Sequence, residues 1–267
     1  MSDIFLFKIK GINLVNKLFI MKKVILGLAI TGTVFMNAQT KIIAHRGYWQ
    51  TQPATTENSV KALENAQNLK IYGSEFDVRM TKDGVLVVNH DEHHEKMEIS
   101  ETDFKELKKV KLSNGESFPT LKDYLKQGKK DQSLKLIVEI KPDKTKAKED
   151  EMTAKTIRMI KDMKLGDQCE FISFSLNICR EIKKLEPAFK VQYLKGELSP
   201  QQIKEQGLDG LDYHYSVFQK NPTWISEANN LGLITNAWTV NDKKIADELK
   251  AHNIAFITTN IPDQLKD

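Results

Sequence analysis

"SEFDVRMTKDGVLVVNHD" (residues 74–91) holds two β-rich runs separated only by Lys82-Asp83-Gly84. So short a link cannot make a parallel crossover, and Asp-Gly between two such runs is a hairpin signal of type I′. Everywhere else past residue 40 the β-rich runs are far apart. They read "KIIAH" (41–45), "SEFDVRM" (74–80), "LKLIVEIK" (134–141), "EFISFS" (170–175), "FKVQYLK" (189–195), "LDGLDYH" (208–214), "GLITNAWTV" (232–240) and "AFITTN" (255–260). Helical patterns fill the gaps. In "ENSVKALENAQNLK" (57–70), Val60, Leu63, Ala66 and Leu69 recur every three residues, an approximate helical stripe. "NDKKIADELKAHN" (241–253) is a second candidate.

Eight strands alternating with helices predict an α/β fold, a (β/α)8 TIM barrel. An open doubly wound sheet is the competing architecture, but it usually carries a Gly-rich nucleotide loop, and none is present. Residues 85–91 are then a β-hairpin extension on strand two. With Asp83 and Gly84 as the two turn residues, Lys82 faces Val85 and Asp77 faces His90. Opposed residues share a face, so this register carries His90 to the carboxylates of strand two. A slip of one residue would turn it away. Residues 92–133 form the longest irregular connection and include a short helical pattern, "TDFKELKKV" (102–110). They are expected to be a short insertion at the barrel mouth, not a second domain.

The N-terminus differs from the rest. "MKKVILGLAITGTVFMNAQT" (21–40) has Lys22 and Lys23, an apolar stretch from Val24 to Phe35, and then the small residue Ala38. That is the layout of a secretory signal peptide. The expected organisation is a leader over 1–38 and a barrel domain over 39–267, exported to a periplasmic or secreted location. Met36 is large for the third position before a cleavage site, which leaves an uncleaved anchor as the alternative. No run of 18 uninterrupted apolar residues occurs, so a conventional membrane span is not expected.

Residues 1–40 hold five of the 40 basic residues and one of the 36 acidic ones, leaving 35 of each. The basic balance is a leader effect and supports no nucleic-acid partner. Of the two cysteines, Cys169 precedes a predicted strand and Cys179 lies in the helix after it. A five-residue strand rises about 17 Å, too far for a bridge, so two packed thiols are expected.

The reactive groups of barrel enzymes sit at the C-terminal ends of the strands. His45 ends strand one. Glu75 and Asp77 on strand two, and Glu139 and Lys141 on strand three, lie at i and i+2, so each pair points the same way. Three carboxylates in one mouth raise each other's pKa. A hard divalent cation resolves that repulsion, and an all-oxygen site suits Ca²⁺ or Mg²⁺. Arg46 and Lys141 beside it suit a phosphate. Two histidines, His45 and His90, can exchange protons near neutral pH. Together these predict metal-assisted cleavage of a phosphate ester. Each motif alone has a plainer reading: a Glu-Xaa-Asp on a strand is often a solvated face, and a histidine ending a strand is often a polar cap.

In order, the motifs resemble those of the glycerophosphodiester phosphodiesterase family: "AHRG" (44–47), "TENS" (56–59), "EFDVRMTKDGVLVVNHD" (75–91), "FPTLKDYL" (118–125), "LIVEIKP" (136–142), "AWTVND" (237–242) and "FITTNIPDQL" (256–265). The resemblance spans residues 41–265. It implies a metal-dependent (β/α)8 barrel with His45 and His90 as the acid–base pair. Glu75, Asp77 and Glu139 would be the metal ligands, Arg46 and Lys141 the phosphate holders, and Trp238 a pocket wall. The implied substrates are small glycerophosphodiesters, cleaved to sn-glycerol 3-phosphate and an alcohol. Attack would come from water or from the glycerol's neighbouring hydroxyl through a cyclic phosphate. A lysophospholipase D-like enzyme and a non-catalytic phosphate-binding barrel remain as alternatives. After His90-Asp91 the family often has a proline and an arginine-threonine stretch, where this chain reads "EHHEKMEISE". His93 and His94 are expected on the surface, and head-group preference stays open.

Overall fold

Residues 39–266 are described by the computed structural model; the predicted leader, 1–38, lies outside the described residues. Each of the eight spaced β-rich runs forms a strand. Among the described residues the strands are β1 (Lys41–Ala44), β2 (Gly73–Met80), β3 (Leu86–Val88), β4 (His93–His94), β5 (Met97–Glu98), β6 (Lys135–Ile140), β7 (Cys169–Ser173), β8 (Val191–Tyr193), β9 (Gly210–His214), β10 (Ile234–Trp238) and β11 (Phe256–Thr259). Parallel pairing runs β1-β11-β10-β9-β8-β7-β6-β2, and Ile43 opposite Gly73 joins β2 back to β1. That closure makes the sheet an eight-stranded barrel and rules out the open sheet.

Strand periodicity sorts the side chains. Outward-facing Phe76 and Val78 of β2 pack with Leu63, Tyr124 and Leu125 under the helices, and Phe76 meets Tyr124 at 4.4 Å between ring centroids. Burying each such side chain contributes about 1.5–3 kcal/mol. Inward-facing Ile43, Ile137, Ile172, Leu194 and Phe256 plug the lumen, so the barrel is packed below its mouth. The predicted helices are trimmed by their caps. Ser59 accepts from the Ala62 N–H to start Val60–Leu69, and Asp242 accepts from Lys244 and Ile245 to start Lys243–Ala251. Among the described residues no helix is long and apolar enough to cross a membrane.

The hairpin register differs from the expected one by one residue. Val78 faces Val88, and the Asn89 N–H donates to the Asp77 carbonyl at 3.0 Å, so Asp77 faces Asn89 and not His90. The cause is the turn. Thr81 Oγ accepts from the Val85 N–H at 3.0 Å and donates to Asp83 Oδ1 at 2.6 Å. This local bonding holds a three-residue loop, Lys82-Asp83-Gly84, with Gly84 left-handed at φ +79°. A bulged three-residue loop replaces the two-residue type I′ turn. His90 therefore lies past the ladder, where the chain bends.

The connection 92–133 is more ordered than expected. Helix Leu121–Gly128 packs on Val60–Leu69, tied by the paired amides of Gln67 and Gln127 at 2.8 Å, and serves as the crossover helix from β2 to β6. The insertion proper is the β4–β5 hairpin with the short helices Ile99–Glu101 and Phe104–Leu107. Both cysteines are buried and unbridged.

Candidate active site

"AHRG" makes sense once its backbone is traced. Arg46 and Gly47 are both left-handed, at φ +56° and +80°. A Cβ on residue 47 would sit 2.6 Å from the Ala62 Cβ, so glycine is required twice, by conformation and by space. The strained Arg46 backbone, of order 1 kcal/mol, turns its N–H onto Glu75 Oε2 at 2.8 Å. Its guanidinium donates to Glu57 at 2.9 Å and lies 3.7 Å from Asp77 Oδ2.

Glu75, Asp77 and Glu139 are buried, and one oxygen from each lies within 4.8 Å of the others. Burial and the neighbouring carboxylates raise Glu75 well above the usual range. Burial and Asp77 raise Glu139 to about 7. Burial opposes ionisation of Asp77 too, but Lys141, His90 and Arg46 hold its pKa below the usual range. Lys141 Nζ reaches Asp77 Oδ1 at 3.2 Å and Glu139 Oε1 at 2.7 Å. Burial alone would lower the Lys141 pKa; those carboxylates raise it instead. Among the described residues Glu75 Oε1 is buried with neither a hydrogen bond nor an ion pair. Three converging carboxylates with one such oxygen, and no histidine or thiol among them, fit a hard divalent cation.

His45 Nδ1 lies 2.7 Å from the amide oxygen of Asn260. An amide oxygen only accepts, so Nδ1 carries the proton and Nε2 keeps a lone pair. Burial, then Arg46, lowers the His45 pKa to about 4. His90 Nδ1 lies 2.8 Å from Asp91 Oδ1. Arg79 holds the His90 carbonyl with two bonds, at 3.0 and 2.8 Å. That grip brings His90 to the mouth despite the register slip.

The sequence-predicted residues meet in one pocket of about 130 Å³. His45, Arg46, Glu75, His90, Glu139, Lys141 and Trp238 line it, and Asp77 lies behind them. Trp238 donates Nε1 to the Asp212 carbonyl at 3.0 Å and meets Phe174 edge-on at 5.5 Å. His93 is exposed and His94 lies on Phe118, at 4.4 Å between ring centroids; neither lines the pocket.

Several residues here escaped the sequence reading. Asn58 is buried, donates to Asp77 Oδ2 at 2.8 Å and accepts from the Asp77 N–H at 3.2 Å. Asn241 takes the Asn260 N–H at 2.8 Å and so fixes the partner of His45. Asp212 and Phe174 complete the wall. Asn58 and Asn260 stood inside motifs already noted, "TENS" and "FITTNIPDQL", but an amide carries no reactivity that would single it out.

A sequence profile of the glycerophosphoryl diester phosphodiesterase family matches residues 45–264. A glycerophosphodiester phosphodiesterase from Caldanaerobacter subterraneus is 28% identical over 242 residues, covering 85% of this chain and 96% of its own. A crystal structure of a glycerophosphodiester phosphodiesterase from Parabacteroides distasonis is 43% identical, with a TM-score of 0.84, over 85% of this chain and 95% of that one. An Oleispira antarctica phosphodiesterase, solved with its product sn-glycerol-3-phosphate, shares the fold at a TM-score of 0.74 and 23% identity over 85% of this chain and 95% of that one.

Proposed function

Since this chain belongs to the glycerophosphoryl diester phosphodiesterase family and is a phosphoric diester hydrolase, we propose that it releases sn-glycerol 3-phosphate from glycerophosphodiesters with the help of one divalent cation. The observation that carries this reading is the convergence of Glu75, Asp77 and Glu139 at a pocket lined by His45, His90, Arg46 and Lys141. The product bound to the Oleispira antarctica enzyme is the one this chain would form.

Glu75, Asp77 and Glu139 would hold Ca²⁺ or Mg²⁺. Bound there, the ion would supply charge stabilisation for a phosphoryl oxygen. Arg46 and Lys141 would fix the phosphate by charge-assisted hydrogen bonds. His45 stays neutral at neutral pH, with Nε2 free, and suits proton removal from the attacking hydroxyl. His90, oriented by Asp91, would then give a proton to the departing alcohol. The leader-like residues 21–38 support export.

Metal-stripped protein assayed with glycerophosphocholine tests the reading directly. Release of glycerol 3-phosphate is expected only after Ca²⁺ or Mg²⁺ is returned. Equal turnover without ion would overturn the metal site. Release from lysophosphatidylcholine alone would move the substrate to the lysophospholipase D-like class.

A further inference from the structure

Across the pocket from the three carboxylates stands a fourth acid that the chemistry above does not use. Asp212 is 1% exposed. It projects inward from β9, on the same face as Gly210 and His214. Its Oδ2 accepts from Asn236 Nδ2 at 3.0 Å. Asn236 in turn exchanges hydrogen bonds with Thr258 Oγ at 3.0 and 3.2 Å. The three residues span β9, β10 and β11 and lock the carboxyl plane. Among the described residues Asp212 Oδ1 is buried and has no hydrogen-bond partner, in a residue that lines the pocket.

A buried carboxyl oxygen without a donor is costly. Lys141 is engaged by Asp77 and Glu139, and no ion pair reaches Asp212 among the described residues. Asp212 also lies outside the group of acids that could share a cation. A phosphate is drawn instead to Arg46 and Lys141. The wall beside Asp212 is apolar, with Ile172, Leu194 and Phe174. What fits is a small neutral hydroxyl on a short carbon chain.

We propose that Asp212, held by Asn236 and Thr258, forms a hydrogen bond with a free hydroxyl of the substrate's glycerol arm and thereby selects glycerol diesters over deoxy analogues. This deepens the proposed reading and rests on it. Water is largely excluded at that wall, so a ligand lacking the hydroxyl leaves the acid unpaired. Sites built to bond a hydroxyl discriminate strongly for this reason. A head-group ammonium is the competing donor, and a ligand without a head group separates the two.

The test is calorimetric binding, independent of turnover. Full-length protein, with the divalent ion present, is titrated with sn-glycerol 3-phosphate, with the phosphates of propane-1,2-diol and propane-1,3-diol, and with inorganic phosphate. Wild type is expected to prefer glycerol 3-phosphate over at least one diol phosphate by about tenfold or more. Asp212→Leu is expected to bring that ratio within about threefold and leave inorganic phosphate affinity unchanged. Asp212→Asn, which keeps the volume, guards against a folding defect and should give an intermediate ratio. A wild-type ratio near one, or a ratio that survives in a folded Asp212 variant, overturns the inference. So does loss of ion affinity in the variant, which would make Asp212 part of the cation site. Failure of the broader reading would appear elsewhere, as wild type that leaves glycerophosphocholine intact.

Discussion

At the ends of β1, β2 and β6 the pocket wall is built from charges in contact. Arg46, Glu75, Asp77, Glu139 and Lys141 lie within ion-pairing or hydrogen-bonding reach of one another. At β9, β10 and β11 the wall is built from Asp212, Asn236 and Thr258, joined by hydrogen bonds and, among the described residues, without a counter-cation. The first arrangement suits a charged reacting centre, because close charges in a dry site interact strongly. The second suits recognition, because an uncompensated acceptor discriminates by what fails to satisfy it. One rim of one barrel thus divides into a half fit for chemistry and a half fit for selection.

The largest effects should come from the charged half. His45→Ala and His90→Ala are each expected to lower kcat about 10²–10⁴-fold on glycerophosphocholine. The two should separate on a nitrophenyl phosphodiester, whose leaving group needs no proton. There His90→Ala should recover most of its loss, while His45→Ala should not. Recovery of His45→Ala alone would reverse the proton assignments, and recovery of both variants would leave neither histidine as the base.

A smaller effect is expected behind the carboxylates. Asn58 touches Asp77 from two sides and would orient it as a ligand of the proposed cation. Such partners are typically worth 10–100-fold in metal affinity or activity. Asn58→Ala should weaken Mg²⁺ or Ca²⁺ binding by about that factor, measured by titration of the stripped protein. Unchanged ion affinity with lost activity would place Asn58 in substrate binding.

The same division explains what the sequence disclosed. Ionisable side chains within or just after apolar strands are anomalies, so His45, Glu75, Asp77, Glu139 and Lys141 stood out, and the i, i+2 spacing fixed the common face of each strand pair. The barrel was legible because eight short runs and their gaps leave few topologies. Asp212, Asn236 and Thr258 sit one per strand, within strands, and no local spacing links them; only the register across three strands does. The hairpin register was missed for a different reason. Asp83-Gly84 fits a two-residue turn, and the local side-chain bond from Thr81 to Asp83 Oδ1, which the dipeptide signal does not report, adds the third residue. His90 was still read correctly to the mouth, but by a mechanism the turn does not supply: Arg79 holding its carbonyl.

The smallest expected effect is on stability, and it sharpens the contrast between the halves. Glu75, Glu139 and Asp212 all have raised pKa values, Glu139 at about 7. A carboxyl raised on folding binds more protons in the native state than in the unfolded chain, so stability falls as pH rises through its folded pKa. His45, lowered to about 4, acts in the opposite direction but only below its unfolded value near 6.5. Around pH 7, where Glu139 titrates, that carboxyl therefore dominates. Melting of the stripped protein should drop by several degrees as pH rises through that value. A divalent ion should remove this slope, since it favours the charged form of Glu139, and so should Glu139→Gln. Asp212→Asn should leave the Glu139 slope in place, because Asp212 lies outside the cation group. If added ion leaves the slope intact while Glu139→Gln removes it, Glu139 is not part of the cation site, and the division between chemistry and selection does not hold.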